Sequence, residues 1–310
     1  MITDDVALAA AALRAGGLVG MPTETVYGLA ADATSASALA RLYAVKGRPA
    51  SHPSIVHVAS ADEARLWAAS WPDAADRLAR RFWPGPLTLV LPAGTRADPA
   101  ALGGTGTIGL RVPDQPLALA LIEAAGTGLA APSANRFGRV SPTTAQHVAD
   151  DLGGDVDAIL DGGPCRVGVE STIVDLTGDA PRVLRQGAVT AAMIEEALAT
   201  PLAAPGPDAP RAPGTLAAHY APRLPLALVA DAAAVADPAA TALIAPTGAR
   251  ADGFHAVLDA GASPAVYAER LYGLLRAADA SGAARIAAIP PVDDGIGSAV
   301  CDRLRRAAAS

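Results

Sequence analysis

From residue 17 to about residue 199 the chain alternates short apolar runs with alanine-rich stretches of helical period, and that alternation admits few architectures besides helices layered on a mixed sheet. It predicts strands at 18–21, 55–58, 87–91, 108–112, 128–131, 158–160, 172–176 and 183–185. Helices are predicted at 3–15, 35–45, 61–69, 74–82, 116–125, 144–152 and 191–199. The pattern breaks at 201–225, where Pro201, Pro205, Pro207, Pro210, Pro213, Pro222 and Pro225 make a semi-rigid extended segment suited to an interdomain linker. A second, shorter alternation follows, with strands expected at 226–229, 241–244, 256–258 and 285–289 and helices at 264–278 and 297–308. Ser263 before Pro264 is an N-cap and first-turn pair. The reading is an α/β chain in three parts: a domain with a twisted open mixed sheet over 1–200, a linker over 201–225, and a smaller Rossmann-like α/β domain over 226–310. The smaller domain lacks the Gly-x-Gly-x-x-Gly turn of a dinucleotide site.

Hydrophobic residues make up 51% of the chain and charged residues 18%, with no long apolar run free of Gly, Pro and charge, so a buried core is expected and a membrane span is not. Acid at Asp4 and Asp5 stands where a targeting peptide would carry base, and a cytoplasmic location is the expectation. Cys165 and Cys301 are far apart and in no metal-like spacing. A net charge of −7 argues against a protein that holds long nucleic acid by a broad basic face, but leaves room for a small anion in a local cluster of arginines.

Lys46 is the only lysine in the chain. It sits in Lys46-Gly47-Arg48-Pro49, and a compact ammonium beside a polyphosphate is not replaceable by a planar guanidinium. Pro22-Thr23-Glu24-Thr25-Val26-Tyr27-Gly28-Leu29 follows the first expected strand, at the kind of strand end where open α/β sheets bind ligands. His57 interrupts an apolar strand. Arg111 falls inside another, where an unpartnered guanidinium is costly, so its partner is either a structural Asp or the carboxylate of a bound amino acid. Ala131-Pro132-Ser133-Ala134-Asn135 ends a strand in small residues that allow close backbone approach, and Glu170-Ser171-Thr172 and Arg185 put further polar groups at strand ends. No nucleophile elbow, Walker loop or paired metal histidines occur, which points to chemistry by positioning and electrostatics, as in reactions at the α-phosphate of ATP.

In this order, Pro22–Leu29, Lys46–Pro49, His57, Pro84-Gly85-Pro86-Leu87-Thr88, Arg111-Val112-Pro113, Ser133-Ala134-Asn135 and Glu170-Ser171-Thr172 resemble the YrdC-domain family, the L-threonylcarbamoyladenylate synthases. His219-Tyr220-Ala221-Pro222 and the C-terminal unit resemble its longer, two-domain subtype. The resemblance implies a concave positive cavity and formation of threonylcarbamoyl-AMP and pyrophosphate from L-threonine, bicarbonate and ATP, with Mg²⁺ accompanying ATP and no direct protein ligand to the metal. The product would pass to a separate transferase acting on adenosine 37 of tRNA, with at most weak tRNA contact by this chain. By match of motif, Thr25, His57, Arg111, Ala131 and Ser171 would line the threonine site. Lys46, Arg48, His52, Thr107, Ser133, Asn135, Ser141 and Arg185 would surround ATP, with Lys46 and Arg48 nearest the phosphates as the catalytic pair.

Two stretches depart from the family pattern. His52 and Ser54 stand where members commonly have Asn and Leu. In the linker, residues 212–222 lack the basic and first aromatic side chains of several members, so a lid would act through Leu216, His219, Tyr220 or backbone. Two other readings remain open: a non-catalytic RNA-binding or ribosome-maturation protein, disfavoured by the acidic balance, and a carbamoyl transferase, which normally belongs to much larger chains.

Overall fold

The structure is a computed structural model that describes residues 1–204, 206 and 209–309. Pro205 and Pro207 of the proline-rich segment lie outside the described residues.

Local signals set the first elements. β1 (Ile2–Thr3) leads into α1 (Val6–Arg14), where the Asp5 carboxylate accepts from the Leu8 N–H. β2 (Val19–Met21) and β3 (Gly28–Asp32) are joined by the loop over 22–27. α2 (Ala36–Lys46) starts on the Ser35 hydroxyl and buries Leu39, Leu42 and Tyr43. Its end is a Schellman turn: Gly47 adopts φ 63°, its N–H bonds to the Ala44 carbonyl, and the Arg48 N–H bonds to the Tyr43 carbonyl. One left-handed glycine therefore separates Lys46 from Arg48, and its identity fixes where both cations leave the helix.

β4 (Ile55–His57), α3 (Ala61–Arg65), α4 (Asp73–Phe82), β5 (Leu87–Pro92), α5 (Pro99–Leu102) and β6 (Thr107–Arg111) follow. Next come α6 (Pro116–Ala125), β7 (Leu129–Ala130), α7 (Ala145–Leu152), β8 (Ala158–Leu160), β9 (Thr172–Asp175), β10 (Arg182–Arg185) and α8 (Ala191–Leu198). The ten strands form one mixed sheet in the order β1-β8-β2-β3-β7-β4-β6-β5-β9-β10. β4 runs parallel to β6 and antiparallel to β7; β5 runs antiparallel to β6 and parallel to β9. Two strands and a short helix escape the sequence reading. β3 is built from small residues with no β-branched side chain, and it is a strand because Val19, Gly20 and Met21 of β2 pair with Ala30, Leu29 and Gly28. β1 has two residues and exists through its pairing with β8, and α5 rests on the Asp98 cap followed by Pro99.

The chain divides into two compact units, and the division does not follow the sequence linearly. The first comprises residues 1–137, 142–165 and 170–215; the second comprises 138–141, 166–169 and 216–310. In the second, β11 (Leu226–Leu228), β12 (Thr241–Ala245), β13 (Ala256–Asp259) and β14 (Arg285–Ala288) make an all-parallel sheet in the order β11-β14-β12-β13, with α9 (Pro264–Ala280) and α10 (Ile296–Ala308). The stretch 138–141 joins this unit through a bridge between Arg139 and Ala221 and a hydrogen bond from Arg276 Nη2 to the Val140 carbonyl. Gly168 lies so close to α9 that a Cβ there would come within 2.2 Å of the Ala268 carbonyl.

Candidate active site

One face of the sheet collects the polar residues. Side chains two apart on a strand share a face, so Ile55 and His57, Thr88 and Val90, Thr107, Gly109 and Arg111 project to the same side, as do Ser171 and Ile173 at the start of β9. The register aligns them: His57 stands beside Arg111, Ile55 and Val90 beside Gly109, and Thr88 beside Ile173. The opposite face carries Val56, Leu87, Leu89, Leu91, Ile108, Leu110 and Val174, all in the main hydrophobic core. Alternation that would be hydrophobic-in and solvent-out in a plain sheet here becomes hydrophobic-in and site-out.

At the Arg111 end the guanidinium is 3% exposed and fully engaged on one edge: Nε donates to the Gly85 carbonyl at 3.2 Å and Nη1 to Thr25 Oγ1 at 3.0 Å. Nη2 lies 2.7 Å from Glu24 Oε1. The expected carboxylate partner is thus Glu24, from the loop between β2 and β3, and not a structural Asp. The contact is an ion pair by distance without hydrogen-bond alignment, because neither Nη2 nor either Glu24 oxygen has a hydrogen bond. His57 is buried with Nδ1 also lacking a partner, and burial, reinforced by the Arg111 charge, pushes its pKa down to about 3, so the imidazole is neutral. Ala131 closes this end, its N–H bonded to the Ile55 carbonyl. Thr88 Oγ1 and Ser171 Oγ are 2.8 Å apart, and Arg185 donates to both the carbonyl and the hydroxyl of Ser171.

Cations gather at the other side. Lys46 Nζ donates to the carbonyls of Ser133 and Asn135, and the Phe137 N–H returns a bond to the Lys46 carbonyl, which joins the helix end to the small-residue loop. Among the described residues no carboxylate lies within ion-pair distance of Lys46 or Arg48. Burial, with Arg48 and Arg136 nearby, holds the Lys46 ammonium well below the ordinary lysine range. Arg48, with Nη2 on the Pro53 carbonyl, is pushed down to about 10 by burial, with Arg185 acting in the same direction. His52 is lowered by burial and by the charges of Arg48 and Arg211, and its ring meets Phe137 edge-on at 5.6 Å. Cations that depress one another and face carbonyls are an incomplete electrostatic arrangement, which a polyphosphate would complete.

A small cleft lies over this face between Ser54, Thr88, Thr107, Gly109, Arg211 and Pro213. The proline-rich segment borders it: Ala212 packs on Ile55, Val90 and Ile173, and Arg185 Nη1 donates to the Pro213 carbonyl at 2.9 Å. The residues named as a candidate lid belong to the second unit. Tyr220 is buried in the second unit at φ 63°, 5.6 Å from the Tyr272 ring and under the Arg303 guanidinium, and His219 packs against it. Ser141 also belongs to the second unit and is buried there. Thr25, His57, Arg111, Ala131 and Ser171 belong to the first unit, as do Lys46, Arg48, His52, Thr107, Ser133, Asn135 and Arg185. The sequence reading singled out neither Glu24 nor Thr88 nor Arg211. A signal existed for Thr88, since its strand alternates with the same phase as His57 and Arg111.

The first unit is a mixed α/β sheet with buried cations at Lys46 and Arg48 and a neutral His57 beside a half-satisfied Arg111, the kind of groups an enzyme acting on an anionic substrate uses. The comparisons specify which. The family model described as "Telomere recombination", covering the Sua5, YciO and YrdC proteins, matches residues 11–187, and that of the threonylcarbamoyl-AMP synthase C-terminal domain matches residues 189–309. The threonylcarbamoyl-AMP synthase of Pyrococcus abyssi is 39% identical, with 97% of this chain and 93% of the relative aligned, and that of Bacillus subtilis is 45% identical over 72% of this chain and 66% of the relative. The crystal structure of P. abyssi Sua5 complexed with L-threonine superposes with a TM-score of 0.91 at 38% identity, covering 98% of this chain and 94% of that one. The chain belongs to the threonylcarbamoyl-AMP synthase family, ATP-using enzymes of the nucleotidyltransferase type.

Proposed function

We propose that this protein joins L-threonine, bicarbonate and ATP into threonylcarbamoyl-AMP and pyrophosphate. The observation that supports the proposal is the presence, in one unit, of a buried Arg111 with an unfilled donor beside neutral His57 and of buried cations at Lys46 and Arg48 that no carboxylate among the described residues neutralises. Arg111 takes the threonine carboxylate on its remaining donors, and the neutral His57, Thr25, Ala131 and Ser171 enclose the rest of the amino acid. Lys46, Arg48, His52, Thr107, Ser133, Asn135 and Arg185 of the first unit serve ATP. The carbamate formed from the threonine amine and bicarbonate attacks the α-phosphorus in line, and Lys46 and Arg48 stabilise the charge that develops on departing pyrophosphate. No protein nucleophile is needed.

Among the described residues no group of three or more His, Cys, Asp or Glu could hold a metal. Mg²⁺ would enter with ATP and would supply charge neutralisation beside Lys46 and Arg48. The product serves a separate transferase that modifies adenosine 37 of tRNA, in the cytoplasm. Among the described residues no helix is long and apolar enough to cross a membrane.

The test is pyrophosphate release from ATP and Mg²⁺ with L-threonine and bicarbonate supplied together and each omitted in turn. Release requiring both is expected, with at least a roughly hundredfold lower turnover in Lys46→Ala. Release indifferent to threonine, or full activity in that variant, overturns the reading.

A further inference from the structure

We propose that Glu24 receives the α-ammonium of the substrate amino acid, so that the Glu24–Arg111 pair reads both ends of a zwitterion; this rests on the reading of Arg111 as the threonine carboxylate partner. Glu24 is 2% exposed, in a loop made rigid by Thr23. The Thr23 hydroxyl donates to the Val26 carbonyl at 2.6 Å, accepts from the N–H groups of Thr25 and Val26, and lies 2.9 Å from Thr25 Oγ1. An ionised carboxylate offers about four acceptor positions, and buried ones are ordinarily filled. Asp175, fully buried in the same unit, follows that rule: it accepts from Arg182 Nε and Nη2 and from the Thr177 N–H and hydroxyl. Glu24 does not, since neither oxygen has a hydrogen bond.

The partner it faces is equally incomplete. Arg111 Nη2 is within 2.7 Å yet out of line, so one unfilled donor and two unfilled acceptors meet at a single contact. That arrangement complements an α-amino acid, whose carboxylate and ammonium sit on adjacent carbon and nitrogen: the first fills Nη2 and the second fills Glu24. A simple anion would satisfy only the arginine and would be repelled by Glu24, which keeps the phosphates of ATP from this end of the cleft. A second consequence is chemical. An ammonium held by a carboxylate is fixed beside Arg111; it passes its proton to the Glu24 carboxylate, and the free amine then adds to bicarbonate with loss of water to give the carbamate, so Glu24 orients the nucleophile.

The experiment is calorimetric binding to the full chain of L-threonine and of (R)-3-hydroxybutyrate, the same molecule without the amine, for the wild type, Glu24→Gln and Glu24→Asp. In the wild type L-threonine should bind more tightly than the deaminated acid by roughly ten- to a hundredfold. Glu24→Gln should collapse that ratio toward one by weakening L-threonine alone. Glu24→Asp keeps the charge beside Arg111 and retracts it by one methylene, so it tests the same point if the glutamine variant does not fold; the ratio should fall severalfold. A ratio unchanged in the folded variants overturns the proposal and leaves Glu24 as the counter-ion of Arg111. Failure of the wild type to bind L-threonine would instead overturn the reading of the site.

Discussion

Arg111 shows how much a single buried charge decides. Its guanidinium is held on three sides by Gly85, Thr25 and Glu24, and removing it would leave the Glu24 carboxylate buried without a counter-ion. Breaking such a pair costs about 3–5 kcal/mol. Arg111→Leu is therefore expected to lower the thermal midpoint by several degrees as well as to weaken L-threonine, and calorimetric unfolding checks it; an unchanged midpoint would mean the pair is not formed in solution. Replacement by Leu alone thus confounds binding with stability, which the sequence, silent on the partner, gave no way to foresee. Lys46 was conspicuous as the only lysine, but its bonds to the carbonyls of Ser133 and Asn135 could not be read from composition, because they join residues some ninety positions apart.

At the scale of elements, strand alternation brings the site together and the proline-rich segment covers it. Ala212 is a small side chain seated on Ile55, Val90 and Ile173, and the Pro213 carbonyl is fastened by Arg185. Ala212→Asp would press a charge onto that apolar cluster and lift the segment. We expect a severalfold higher ATP requirement and faster proteolytic cleavage near residues 209–216, with global stability little changed; limited proteolysis beside steady-state kinetics measures both, and identical cleavage rates would refute the covering role. The lid was expected at Leu216, His219, Tyr220 or backbone. The cleft over the sheet face is covered by Ala212 and the Pro213 carbonyl, while His219 and Tyr220 are packed into the second unit. Proline spacing made the segment legible as extended chain, but where an extended chain lies is set by what it packs against.

For the whole molecule, the two family models meet near residue 188, yet the compact units exchange short stretches of chain. Residues 138–141 and 166–169 belong with 216–310, through the Arg276 bond to Val140 and the close approach of Gly168 to α9. Each stretch is covalently continuous with a site segment, the first with Asn135–Phe137 and the second with Glu170–Ser171. A chain ending at residue 215 would leave both stretches without their partners. It is expected to melt lower than the full chain and to lose most of its pyrophosphate release, although it retains every residue of the first unit; a truncated protein as active as the full chain would show that these stretches hold their shape unaided.

The sequence by itself determined the layered α/β class, nearly every strand and helix, and the cap at Ser263. These depend on local periodicity, turn chemistry and residue type, all of which are written within a few neighbours. Tertiary structure alone decided that Gly28–Asp32 is a strand, that Glu24 is the partner of Arg111, that Lys46 rests on carbonyls, and that residues 138–141 and 166–169 join the second unit. Each of these is a pairing between distant positions, and its energy comes from burial and alignment that exist only once the sheet has closed.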